Sequence, residues 1–226
     1  MNETKYDRLF ADSNLRNKGR LLSLRAGWAS GYLTALPLPY LGLTLPQRHF
    51  QRVVQFRLGL KTCPAIRCPK CRPHMMDPFS DHAVTCKHGS HTIHRHDRMS
   101  FMQNIIANEA GLKSRLEKTG LIVGRKDRPV DVLLPMFCAS QDTCLDSVIT
   151  HPLQPTFIDC AAGKSLVTAK AAATKKRFDD DEKCHRNGLR LITMAWETYG
   201  CSAPETRIMI CKIAICHADK HNRPRR

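Results

Sequence analysis

Cys68-Pro69-Lys70-Cys71, followed by His82 and Cys86, reads Cys-x2-Cys-x10-His-x3-Cys. This is the ligand order and spacing of a four-coordinate zinc site. It constrains folding more than any other feature, because residues 61–98 are rich in Cys, His and Pro and short of apolar side chains. Such a stretch cannot bury a core of its own, so metal-binding energy has to become its folding energy. Pro69-Lys70 predicts a tight turn that aims both thiolates at one ion. His82 and Cys86, four apart, fit one face of a helical turn. Arg67, Lys70, Arg72 and Lys87 favour the deprotonated thiolates that a metal requires. Three sulfurs and one nitrogen fill the shell, so the expected zinc is structural. Cys63 is an alternative to Cys68 or Cys71, and the bland reading is chance spacing in a cysteine-rich chain.

The chain has 226 residues, 42% of them hydrophobic, which is a globular composition. Lys and Arg number 36 against 20 Asp and Glu, a formal charge of +16. That excess favours a polyanionic partner: nucleic acid first and acidic membrane second. No apolar run reaches the roughly 18 residues of a membrane helix. The start, Met1 to Asp7, is too polar for a secretory signal. An intracellular location is expected, the nucleus before the cytoplasm. The eleven cysteines are odd in number and scattered, unlike a secreted disulfide framework. Those outside the metal pattern read as reduced, buried small hydrophobes.

Three segments are expected: a helical segment over 1–60, a zinc knuckle over 61–98 and a catalytic-type domain over 99–226. In the first, Leu21, Leu24 and Trp28 recur at helical spacing, and Phe50, Val53, Val54, Phe56, Leu58 and Leu60 form the apolar set of a later helix. A packing platform is the plainest reading. Further on, Met99, Met102, Ile105, Ile106 and Ala110 predict one face of a helix that Gly111 ends. Strands are predicted at Leu121–Val123, Val130–Phe137, Leu145–Thr150 and Leu189–Trp196, with a helix across Ala161–Asn187. The run Ile208–His217 fits either a strand or a helix.

Asp131 and Asp146 carry the chemistry. Each sits in an apolar strand-like run, and adjacent strands would bring both to one sheet edge. Two carboxylates with waters and a phosphate make a Mg²⁺ site for phosphodiester cleavage. The bland reading is a pair of turn-capping aspartates. Lys175, Lys176 and Lys183 lie on the long predicted helix, where a lysine near the metal would stabilise developing phosphorane charge. An exposed helix-face lysine is the commoner role. Arg95-His96, read at a helix start, suits phosphate, although a solvated pair has the same spacing. His88, His91 and His94 read as basic surface residues. Asp179 to Glu182 reads as a solvated acidic patch, and Glu117 and Glu197 as weak auxiliary ligands.

These blocks together resemble the C-terminal region of retroelement reverse-transcriptase polyproteins, in which a Cys-Cys-His-Cys knuckle precedes a restriction-like PD-(D/E)XK endonuclease. The resemblance spans roughly residues 26–200. It runs through Ala26-Gly27-Trp28, Arg57-Leu58-Gly59-Leu60, the knuckle, Arg95-His96, Arg128-Pro129-Val130-Asp131, Asp146 with Thr150-His151-Pro152, Lys183-Cys184 and Trp196-Glu197-Thr198-Tyr199-Gly200. It implies an α/β fold: a PD-(D/E)XK-like αβββαβ core preceded by a small zinc knuckle and an N-terminal helical segment, the tail of a polymerase region. It also implies Mg²⁺-dependent DNA nicking, with Asp131 and Asp146 holding the Mg²⁺ and Cys68, Cys71, His82 and Cys86 the zinc. The family's lysine, two residues after the second acid, falls here at Val148, so the expected substitute is Lys176 or Lys183. No paired-aspartate polymerase motif is present. A fragment of a longer polyprotein, or an isolated domesticated product, is expected. An inactive zinc-containing DNA- or RNA-binding module is the alternative to an endonuclease.

Overall fold

A computed structural model describes residues 3–35, 38–42, 44–116, 118–122 and 130–224. The protein is mixed α/β and divides into two compact units. One comprises 1–92, 150–168 and 197–202, the other 93–149, 169–196 and 203–226.

The second unit is built on a four-stranded mixed sheet in the order β1 (Arg115–Leu116), β2 (Val132–Cys138), β3 (Gln141–Thr150), β4 (Leu189–Glu197). The first two pairings are antiparallel, so the mixed sheet requires β3 and β4 to run parallel. A parallel neighbour demands a crossover, and α8 (Val167–Arg186) supplies it. The β2–β3 hairpin turns at Ala139-Ser140, both at positive φ (51° and 58°), as a two-residue turn matched to strand twist requires. Pro135 falls where the register shifts between Leu134 and Cys138, a point at which a missing amide costs no ladder bond.

Alternation along the strands feeds two cores. Val132, Leu134, Leu145, Met194 and Trp196 pack with Ala107 and Ala110 and with Met209 and Ile213 of α9 (Pro204–Lys220). Leu133, Cys144, Leu189 and Leu191 pack instead with Cys184 of α8 and with Val130 and Ile122. The sheet is thus covered on both faces. The final apolar run is a helix, with Pro204 in its first turn where no amide is needed.

Several sequence expectations are corrected here. The first strand is Arg115–Leu116, not Leu121–Val123: Ile122 is buried against the α8-side core without joining the ladder, and Val123 lies outside the described residues. Helix α6 spans His91–Glu109, starting a turn or more before the predicted one. Its buried residues are Ser100, Gln103 and Ala107, while Ile106 is 43% exposed. Small side chains let the helix approach the sheet, and Gln103 is tolerated there because its Nε2 donates to Ser147 Oγ at 2.9 Å. The predicted helix over 161–187 is two, α7 (Ile158–Gly163) and α8, broken at Leu166, whose φ is +62°.

The first unit is mainly helical, with α1 (Glu3–Ala11), α2 (Leu15–Arg25), α3 (Gly31–Thr34) and α4 (Gln47–Leu58). Helix α2 packs on α7 through Gly19, where an added Cβ would lie 2.9 Å from Leu153 Cδ2. Buried Glu197 joins three segments: it accepts from Ser23 Oγ at 2.7 Å, Thr168 Oγ1 at 2.9 Å and Cys201 Sγ at 3.1 Å. That occupation gives it a structural task in place of metal ligation. Helix α4 buries no residue fully, and its Phe50 and Leu58, like Leu60 beyond it, are exposed. Val53, Val54 and Phe56 of the predicted apolar set are half-buried, with Phe56 stacked on Tyr199 at 4.8 Å, so the set packs along only part of its length.

Leu134 is fully buried. Leu134→Ala should cost about 2–5 kcal/mol in urea unfolding. Ile106→Ala, at a position the helical spacing assigned to the core face, should cost well under half of that.

Candidate functional site

Two constellations carry chemistry, one in each unit. The first is the Cys3His cluster. A bridge between Arg67 and Met75 closes a short hairpin, with Cys68 N donating to His74 O at 2.9 Å and Arg72 N to Cys68 O at 3.0 Å. The turn Pro69-Lys70 directs the Cys71 and Lys70 amides toward the Cys68 sulfur, and these amides bring its thiol down to about 6. Burial pushes the Cys71 thiol up. Across from the hairpin, α5 (Asp81–Thr85) places His82 and Cys86 one turn apart, with Cys86 N donating to His82 O at 2.8 Å. Asp77 starts this helix: its Oδ1 accepts from Phe79 N and Asp81 N, and its Oδ2 accepts from His82 N at 2.6 Å.

The ligand atoms of Cys68, Cys71, His82 and Cys86 all lie within 4.8 Å of one another. Cys68 and Cys86 Sγ are 3.9 Å apart, and Cys71 Sγ is 3.4 Å from His82 Nε2. Tetrahedral zinc with bonds of about 2.3 Å sets sulfurs roughly 3.8 Å apart, so the arrangement can hold a metal such as zinc. The three cysteines are buried. Cys63 stands apart, its sulfur 3.0 Å from Asp77 O. Among the described residues, His88, His91 and His94 join no such cluster.

The second constellation lies at the open end of the β2–β3 hairpin. Val132 pairs with Leu145, and Asp131 N donates to Leu145 O at 3.0 Å. That bond lies one residue out of the Val132–Leu145 register, so the ladder is irregular at Asp131, and Asp131 lies close enough to Asp146 for its charge to raise the Asp146 carboxyl. Lys176 of α8 places its Nζ 2.8 Å from Asp146 Oδ2, and His96 of α6 places its Nε2 3.2 Å from Asp131 Oδ2. Ser147 N donates to the same Asp131 oxygen at 2.6 Å.

The two acids are tuned apart. For Asp131, burial raises the carboxyl, but the His96 and Ser147 hydrogen bonds outweigh it and the net shift is downward. For Asp146, burial dominates over Lys176, and nearby Asp131 adds to the upward shift. Hydrogen bonding to Asp131 lifts His96 to about 9. Lys176 is also raised: its burial works against the charge, and its bond to Asp146 wins.

The remaining sequence candidates fall elsewhere. Lys183 folds back on its own helix, 2.9 Å from Asp180 Oδ1, with Asp179 O as a second acceptor. Arg95 and His96 sit in the second turn of α6, not at its start, because the helix begins at His91. Arg128 and Glu117 lie outside the described residues. The His96–Asp131 contact had no sequence signal: the two are far apart in the chain, and only packing of α6 on the sheet joins them.

Among the described residues, no helix is long and apolar enough to cross a membrane. Compared with known proteins, the chain matches no family model, no curated protein and no solved structure.

Purified protein should carry about one zinc per chain. Cys71→Ser should lose it and loosen residues 61–90 to proteolysis, whereas Cys63→Ser should keep it. Stoichiometric metal in a Cys68/Cys71 double variant would refute the assignment.

The acid site also predicts a pH profile. His96 has its pKa raised to about 9, so its contribution to stability is complete below its unfolded value and is lost as pH climbs toward 9. Asp131 is lowered, so its contribution is present above the ordinary carboxylate range and is lost as pH falls through it. Urea unfolding of wild type beside His96→Asn at pH 6 and pH 9 should show the two converging at the higher pH.

Proposed function

We propose that this chain is a retroelement-derived nucleic-acid-binding protein whose second unit is a Mg²⁺-dependent, DNA-nicking endonuclease of the PD-(D/E)XK kind. The observation that carries this reading is the approach of Asp131 to Asp146 at the open end of the β2–β3 pair, with Lys176 within 2.8 Å of the second acid. The order α6, β1, β2, β3, α8, β4 supports the αβββαβ core, and the Cys3His cluster supports the preceding zinc knuckle. The charge of +16 supports a DNA partner, and a nuclear location accompanies that partner.

The residues present fit a hard cation. They are two neighbouring carboxylates at one end of the β2–β3 pair, with 14% and 8% side-chain exposure, and oxygen donors are what Mg²⁺ prefers. Held by Asp131 and Asp146, Mg²⁺ would supply Lewis-acid polarisation of the phosphate and an activated water. Lys176 presents a fixed ammonium beside that position, where it favours negative charge developing on a phosphate. This fills the place of the family lysine, for which the chain has Val148. The Ser147 amide and His96 fix the orientation of Asp131, and Gln103 holds the Ser147 side chain.

One observation favours an inactive binding module: both acids are already neutralised by the protein's own cations. A single experiment separates the readings. With Mg²⁺, wild type should nick supercoiled plasmid. Asp146→Asn should abolish nicking, and Lys176→Met should slow it about 10²–10³-fold, the cost of losing one preorganised charge-stabilising donor. Binding by both variants should stay near wild type and fall steeply with salt, about 0.9 in log–log slope per phosphate neutralised. Binding without nicking by wild type would identify the inactive module, and a flat salt response would refute the nucleic-acid reading.

A further inference from the structure

Helix α5 carries the ligand His82 and is capped by the ligand Cys86, but has only five residues, too few to be stable alone. Its fixed position has a source outside the knuckle. The Asp81 carboxylate, next to His82, is gripped by Arg16 of α2 through Nε at 2.5 Å and Nη2 at 2.8 Å. The same guanidinium lies 4.1 Å over the Phe79 ring, so Arg16 holds two residues of the metal module at once. Such a bidentate, stacked arrangement suits arginine and not lysine. From the other side comes His151, fully buried, with Nε2 3.3 Å from Asp81 Oδ1 and Nδ1 2.6 Å from Thr198 Oγ1. Its ring lies beside Phe56 and Tyr199.

We propose that Arg16 and His151 are positioning residues of the metal centre, and that metal binding and the seating of α5 on α2 form one linked equilibrium. The metal fixes His82 and Cys86, the latch fixes Asp81, and all three belong to a single turn of chain. Ordering that turn by either route removes the entropy cost the other would meet, and such coupling is reciprocal. Arg16 touches no ligand atom. It acts through Asp81, as outer residues that orient ligands commonly do.

Zinc affinity of the full-length chain, measured by competition with a chromophoric chelator, tests this. Arg16→Ala should weaken zinc about 10–100-fold, the usual cost of losing an orienting residue. Arg16→Lys should recover only part of the loss. His151→Phe, which keeps a ring beside Phe56 and Tyr199, should weaken zinc in the same direction. Lys18→Ala on the same helix should leave affinity unchanged. At saturating Co²⁺, the thiolate-to-metal bands of Arg16→Ala should match wild type, because the ligand set is intact and only its preorganisation is lost. Should Arg16→Ala fail to fold, wild type alone answers the question: stripping its zinc should lower hydrogen-exchange protection across Leu15–Arg25. Equal affinity in Arg16→Ala and wild type, or α2 protection indifferent to zinc, overturns the coupling while leaving the metal site standing. A wild type that retains no zinc overturns both.

Discussion

Two neighbouring carboxylates at the end of an antiparallel strand pair repel one another, and the second unit is arranged around the removal of that repulsion. Left alone, Asp131 and Asp146 would weaken the β2–β3 hairpin at its open end. Each is instead met by a cation from a helix on a different element: His96 from α6 and Lys176 from α8. The helices that cover the sheet are therefore tied to it by charge as well as by apolar packing. The small residues on α6 have a purpose in this arrangement. Ser100 and Ala107 permit close approach, Gln103 reaches Ser147, and the same approach brings His96 within reach of Asp131. The environment then splits the acids, depressing one and raising the other, a separation typical of sites where two like groups take different roles.

In the first unit the limiting quantity is apolar area. Residues 61–90 contribute little beyond three cysteines and Met76 to any buried cluster, and polar links substitute for a core. Asp77 satisfies the first amides of α5, Arg16 and His151 hold Asp81, and Thr62 N donates to Pro78 O at 2.7 Å to close the loop. Two of these supports come from distant sequence: Arg16 lies on α2, and His151 follows β3. An excised 61–98 peptide would keep its four ligands but lose the groups that orient two of them.

The legible part of the sequence was the part with local causes. Ligand spacing located the Cys3His cluster, since a turn and a helical step are decided within a few residues. Alternation placed β2, β3 and β4 to within a few positions, and Gly188 ended α8 because its φ of +70° suits glycine. The misses share one origin in packing between distant segments. Ile122 is buried, and Leu121 partly buried, by a core that needs no ladder bonds from them, so hydrophobicity indicated burial and not strand. On α6 the conspicuous Ile106 faces outward and the inconspicuous Ala107 inward, because close helix–sheet approach selects for small side chains. Arg16, an ordinary basic residue of an amphipathic helix by pattern, acquires its role only when Asp81 is brought to it.

The acid site also bears on whether its charges are structural ornament. Asp146 is 5% exposed and Asp131 is partly buried, while His96 and Lys176 keep 38% and 39% side-chain exposure, so two acids are held at the end of a packed sheet by half-exposed cations. Replacing buried ion pairs by apolar residues of similar size is often neutral or stabilising by about 1–4 kcal/mol. Stability alone therefore does not favour these residues over leucine or valine. What the charged arrangement adds is a pair of hard oxygen donors with an ammonium at hand, the donor set the proposed cation and phosphate chemistry would use. The cost of holding two acids there supports that proposal on grounds separate from the resemblance.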